Sequence, residues 1–194
     1  MKEEAPEFEQ GDYIKVSKFG GLFSTQVTPS VILHNPKYPH NVGAAVRACS
    51  NFGGKAVLFT GDRVSLSPDG SNGYRLPREE RMKDYQDILL INDQYPFNRF
   101  AKEVVPVAVE KRENAEPLTY FQHPENAVYV FGPEDGSIPQ VMLRHCQRFL
   151  VIVSKHCLNL GAAVNVILAD RISKLGIIHR DDIDKIRTNF RRGI

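Results

Sequence analysis

An α/β fold, built on a mainly parallel sheet flanked by helices, is what this chain of 194 residues predicts. Short β-type runs alternate with helical segments along most of its length. The run "VYVFG" at 128–132 is apolar throughout, the pattern of a strand buried on both faces. With 42% hydrophobic and 25% charged residues, the chain can bury one core and has no room for a second full domain.

Taken in order, residues 1–25 carry four glutamates among lysines and glycines without a sustained period, and are expected to form an N-terminal arm or extension. The main domain is expected over 26–178. It opens with the β run "SVILH" (30–34), a helix at about 42–52 and the strand "KAVLFT" (55–60). A loop rich in Gly, Ser, Asp and Asn covers 61–73, and "PREERMKDY" (77–85) reads as a helix. Next come strands at 87–91, 103–109 and 127–132, with a helical segment near 95–102. A helix at 139–146, a strand at 148–153 and a long helix at 159–175 complete the domain, leaving 179–194 as a basic tail or helix.

Charge and cysteine content narrow the class. A formal net charge of +2 neither demands nor excludes a nucleic-acid partner. Cys49, Cys146 and Cys157 are odd in number and lack paired spacing, and the acidic N-terminus has no apolar signal core, so a reduced, cytoplasmic chain is expected. Its most apolar windows are far shorter than the roughly 20 residues of a membrane span, and no membrane partner is expected. No G-x-G-x-x-G follows the first strand, and neither G-x-x-x-x-G-K-[ST] nor G-x-S-x-G occurs, which removes support for a common dinucleotide fold, a nucleotide triphosphatase or a serine hydrolase. The "HC" pairs at 145–146 and 156–157 match no common zinc spacing, and no metal is expected.

Three segments can carry chemistry. In "HNPKYPHNVGAAVRACSNFGG" (34–54), Val42, Ala45, Val46, Ala48, Cys49 and Phe52 share an apolar helix face, while Gly43 and Arg47 lie opposite. Arg47 thus stands one turn above a residue without a side chain, a place to hold a phosphate or simply a solvated guanidinium. "VYVFGPEDGSIP" (128–139) runs from a strand into a turn with Glu134, where ligands bind in parallel sheets. In "FLVIVSKHCLNLGAAVNVILAD" (149–170) a β run enters a helix capped by Asn159, with His156 and Cys157 before it. A helix N-terminus favours a thiolate, but no cysteine-hydrolase signature surrounds the pair. "NVGAAV" (41–46) and "NLGAAV" (159–164) echo each other, so two Asn-capped helix starts could face one site. Their flanks differ, which argues against duplication.

The order and content of these three segments closely resemble the three motifs of the SpoU/TrmH branch of SPOUT RNA methyltransferases, over roughly residues 28–176. The resemblance implies an α/β knot with a deep C-terminal trefoil, binding S-adenosylmethionine (SAM) and releasing S-adenosylhomocysteine. It also implies a homodimer whose sites are completed by the partner subunit. The reaction implied is methyl transfer to a ribose 2′-hydroxyl of structured RNA. Family motif residues fall on Asn41, Arg47, Glu134 and Asn159, which become the expected catalytic set, with Arg47 positioning the RNA and Glu134 and Asn41 holding Arg47 and the loops. Cofactor contacts are implied at Val109, Gly132, Pro133, Ile152, Cys157 and Leu158. Two positions depart from the family pattern: Cys157 stands where Ser is usual, and Val153 replaces a Pro.

The chain lacks the extra N-terminal RNA-binding domain of several rRNA-directed relatives, which favours tRNA over rRNA. Arg75, Arg78, Arg81 and Lys83, and in the tail Lys185, Arg187, Arg191 and Arg192, are candidate phosphate contacts or simply solvated charges. A rival reading is an RNA-binding factor that keeps the fold without the transfer, to which the Ser-to-Cys change lends standing.

Overall fold

The computed structural model describes residues 14–15, 23, 25–68, 73–81 and 88–177. Thirteen elements follow in chain order: β1 (Ile14–Lys15), β2 (Ser30–Leu33), α1 (Pro39–Asn51), β3 (Ala56–Phe59), β4 (Ser67–Pro68), β5 (Gly73–Arg75), β6 (Leu89–Asn92), β7 (Val105–Val109), β8 (Glu116–Pro117), β9 (Ala127–Phe131), α2 (Gln140–Leu143), β10 (Arg148–Val151) and α3 (Leu160–Leu175). Seven strands form one sheet in the order β6-β3-β2-β9-β7-β10-β8, and every pairing in it is parallel. The apolar runs explain this arrangement: β2, β3 and β9 are buried at every position, as strands covered on both faces must be.

Because side chains alternate along a strand, each face has its own core. Val31, Leu33, Val57, Phe59, Tyr129 and Phe131 pack with α1 and α3. Ile32, Leu58, Ile91, Val128 and Val130 turn the other way, toward Phe97, Ile138 and Met142. The segment after β9 enters the sheet between β7 and β8, both of which precede it in the chain. That order brings the carboxyl ends of β7, β9 and β10 together and leaves α3 starting beside them.

Several elements differ from expectation. The helix expected at 42–52 starts at Pro39, whose fixed φ suits the first turn, so Asn41 lies inside α1 rather than capping it. Of the helix expected at 77–85, the described residues 77–81 hold a 3-10 turn at Arg78–Glu80 and the rest lies outside the described set, while 95–102 gives another such turn at Pro96–Arg99. The helix at 139–146 shortens to α2. Within the expected loop at 61–73, β4 pairs with β5, and β5 takes β1 as its other antiparallel neighbour, with Ile14 opposite Tyr74. That pairing ties part of the expected N-terminal arm to the domain. The basic tail at 179–194 lies outside the described residues.

Candidate active site

A cavity of about 600 Å³ lies at the carboxyl ends of β7, β9 and β10. Parallel strands end there with outward-facing peptide groups that no next turn of the ladder satisfies, the usual place for a ligand in such sheets. Val109, Gly132, Pro133, Ile152, Cys157 and Leu158 all line it, together with Glu134 and the first turn of α3. The walls mix apolar side chains with exposed main chain, and the size falls within the roughly 300–1,000 Å³ typical of small-molecule sites. Gly132 has a packing reason: an added Cβ would lie 3.0 Å from the amide nitrogen of Ile138, because the 132–138 turn folds back over it.

At the rim, three of the four expected catalytic residues form one hydrogen-bonded chain. Asn159 Nδ2 donates to Asn41 Oδ1 at 2.8 Å, and Asn41 Nδ2 donates to Glu134 Oε1. Asn159 also caps α3, its Oδ1 accepting from the Ala162 amide at 3.2 Å. Glu134 receives two further donors, the Lys37 amide at 2.8 Å on Oε2 and the Tyr38 amide at 3.4 Å on Oε1. Burial on its own would raise the Glu134 carboxyl. The Asn41 amide and the surrounding backbone donors outweigh it and hold the group below the usual carboxylate range. An ionised Glu134 therefore fastens the loop entering α1 to the turn leaving β9.

This chain of bonds requires α1 and α3 to meet closely. A Cβ on Gly161 would lie 2.6 Å from the Cβ of Ala44, so the two helices touch through residues with almost no side chain. The echoed hexapeptides at 41–46 and 159–164 are the two sides of that contact.

Arg47 stands apart from the other three. It is exposed, its Nη1 donates to the Glu79 carbonyl at 3.1 Å, and it does not line the cavity. Glu134 and Asn41 hold each other and Asn159 rather than Arg47. Nor is the patch beside Gly43 bare: a Cβ there would meet the Glu80 side chain at 2.7 Å, so the 3-10 turn at Arg78–Glu80 covers it. Helical periodicity places a face but cannot say what packs on it.

One further residue at the cavity escaped sequence reasoning. Glu110, just past the end of β7, accepts the Ile138 amide on Oε2 at 2.8 Å and so fixes the 132–138 turn. Its place after a strand's carboxyl end was the available signal. Asp135 takes a two-pronged pair from Arg63, at 2.9 and 2.7 Å, and the Arg63 hydrogen bond holds its carboxyl below the usual range. Cys157 is exposed at the cavity wall. Among the described residues there is no cluster of three metal-ligating side chains, and no helix is long and apolar enough to cross a membrane.

Residues 29–169 match the SpoU rRNA Methylase family, which is more than half of the chain. The fold is similar to a structure solved for the 2-OH methylation of C/U34 on tRNA, with TM-score 0.64 and 22% identity over 77% of this chain and 97% of that one. It is similar to the TrmH/SpoU tRNA modifying enzyme of A. aeolicus, with TM-score 0.58 and 17% identity over 82% and 85% of the two chains. An AdoMet-bound rRNA methyltransferase from Sinorhizobium meliloti gives TM-score 0.56 and 18% identity, covering 75% of this chain and 56% of that one. No curated protein is significantly similar to the chain.

Proposed function

The chain belongs to the SpoU rRNA Methylase family, and from that premise we propose that it transfers a methyl group from SAM to a ribose 2′-hydroxyl of RNA, with tRNA as the favoured substrate. What carries the proposal is the cavity at the ends of β7, β9 and β10, walled by the six positions at which the family motifs imply cofactor contacts. The fit is chemical as well as spatial. An adenine ring suits a slot of apolar side chains with peptide donors and acceptors, and Val109, Ile152 and Leu158 supply such walls without buried charge.

Bound there, SAM supplies an electrophilic sulfonium methyl. The protein's part is positioning. Val109, Ile152 and Leu158 flank the reacting centre, where fixed peptide dipoles favour a step in which the hydroxyl oxygen takes the methyl, its proton passes to solvent and the thioether of the product leaves. Asn159, Asn41 and Glu134 keep the 34–38 loop and the start of α3 in register, so they act as positioning residues. Arg47 binds the phosphate beside the target ribose. A guanidinium has donors but no acceptor, so it orients the hydroxyl rather than deprotonating it. Arg47 is six residues beyond Asn41 on α1, about 9 Å along the axis, and lies outside its own cavity wall. We therefore assign it to the cavity of a second subunit in a homodimer. The knot implied by the family resemblance is part of the same proposal, and insertion of β10 between β7 and β8 is the topology such a threading needs.

The likeness in fold to a structure solved for tRNA C/U34 methylation and to a tRNA modifying enzyme, at TM-scores of 0.64 and 0.58, supports tRNA. Incubation with methyl-labelled SAM and total RNA, followed by mapping of labelled riboses, is the test. Label on 2′-oxygens of tRNA is expected. Binding of SAM and RNA with no transferred label would establish the rival, a binding factor that keeps the fold.

A further inference from the structure

A second cavity, of about 290 Å³, opens at the carboxyl ends of β2, β3 and β6, on the other half of the same sheet edge. We propose that it receives a nucleobase of the RNA, beside the nucleotide whose ribose is methylated; this rests on the RNA methyltransferase reading above.

Its wall is chemically unlike a phosphate site. No Lys or Arg lines it, and Asp62 is its one carboxylate. Neutral groups dominate: the amides of Asn35, Gln94 and Asn98, the Thr60 hydroxyl and two imidazoles. The His145 ring stacks on Phe97 with centroids 4.7 Å apart and planes 16° from parallel, and Tyr95 stands 73% exposed at the same cavity. Flat aromatic surface beside neutral donors and acceptors is how proteins hold unpaired bases. The volume suits one base rather than a whole nucleotide pair.

His34 offers an edge for that base to read. Thr60 Oγ1 accepts from the Asn35 backbone amide at 3.1 Å and shares a hydrogen bond with His34 Nδ1, 2.9 Å away. Burial lowers the His34 pKa, so the ring is neutral, and Nε2 donates or accepts according to the tautomer. Nε2 has no hydrogen-bond partner among the described residues. Asn35 Oδ1 is buried and likewise accepts no hydrogen bond. Asn35 sits with φ at 44°, a left-handed conformation Asn tolerates better than most residues. His34 Nε2 is thus left to bond a polar edge of a base such as adenine or cytosine.

A backbone hydrogen bond joins residues that line the two cavities. The His34 amide donates to the Phe131 carbonyl at 2.9 Å, joining the loops that leave β2 and β9, and the Lys37 amide reaches Glu134 a few residues on. A nucleotide with its base in the smaller cavity thus has its backbone running toward the larger one.

NMR of the imidazole signals of the full chain tests this without any methyl transfer. Titration with AMP or CMP is expected to shift the His34 and His145 resonances saturably, while ribose 5-phosphate and inorganic phosphate leave them in place. His145→Ala, an exposed position, should weaken nucleotide binding about tenfold, the scale of a lost stacking platform, with SAM affinity unchanged by calorimetry. Equal shifts from the base-free phosphates, or none from either nucleotide, would overturn the proposal. Base binding in a protein that transfers no methyl would remove the enzymatic reading and leave a base site; transfer without base binding would remove this site alone.

Discussion

Gly161→Ala sets two effects of opposite sign against each other. In a helix, Gly→Ala ordinarily stabilises by about 0.5–1 kcal/mol through the entropy of the unfolded chain. Here the new Cβ would lie 2.6 Å from Ala44 Cβ and 3.3 Å from Asn159 Oδ1. Carbon atoms pack at about 3.5–4.0 Å, so α1 and α3 must part by roughly 1 Å. The two Cβ atoms are fixed by their backbones, and neither has a rotamer by which to escape. Overpacking of this kind costs about 1–3 kcal/mol and exceeds the entropic gain. The expected net is a loss of about 1–2 kcal/mol, or a fall in Tm of about 2–8 °C for a domain of this size. Thermal melting of the wild type, Gly161→Ala, Ala44→Gly and the double variant gives the coupling. Ala44→Gly alone loses about 1 kcal/mol of helix propensity, but in the double variant the clash is gone and the two changes should couple by about 1 kcal/mol or more. A Gly161→Ala protein that melts at or above the wild type, or a cycle additive within about 0.5 kcal/mol, would refute the close contact between the helices.

Glu134→Gln should cost about 1 kcal/mol and weaken transfer, because one oxygen facing backbone donors becomes a donor itself. Since the folded Glu134 carboxyl lies below its unfolded value of 4.5, its stabilisation is present above that pH and lost as pH falls through the folded pKa, which denaturant midpoints at pH 7 and 3 would register in the wild type but not in the variant. Arg47→Ala should abolish methyl transfer while calorimetry still detects SAM binding; Cys157→Ser should stay active. His123, buried between the Tyr129 hydroxyl at 2.6 Å and Asp170 at 2.8 Å, has its pKa lowered by burial. Folding should therefore weaken as pH drops below 6.5 toward the lowered pKa, and His123→Ala should lose about 2–4 kcal/mol at pH 7.5 along with that dependence.

The sheet was legible because parallel strands buried on both faces must be apolar at successive positions, and β2, β3 and β9 are. α3 was legible from its Asn cap, which the structure keeps. β1, β4 and β8 were not, since two residues carry no period and two of those strands contain Pro. The start of α1 was misplaced because Asn41 looks like a cap, whereas Pro39 supplies the first turn and frees the Asn41 side chain for Glu134 and Asn159. The cover over Gly43 was beyond reach. Glu80 belongs to a segment whose own pattern reads as a longer helix, and nothing in a linear sequence says which surface it lies on.

The echo between 41–46 and 159–164 has a cause other than common descent. Asn159 Nδ2 reaches Asn41 Oδ1 at 2.8 Å only if the first turns of two helices touch, and touching turns demand small residues on both sides. Gly161 and Ala44 meet that demand across the seam. Each Asn also stands at a helix's opening turn, yet the two do different work: one caps α3, and the other relays the contact to Glu134. A larger residue at 44 or 161 would separate the amides before it altered any cavity wall. The same few letters therefore recur because one steric condition is imposed on two partners, and the site's alignment depends on that condition more directly than on the chemistry of either asparagine.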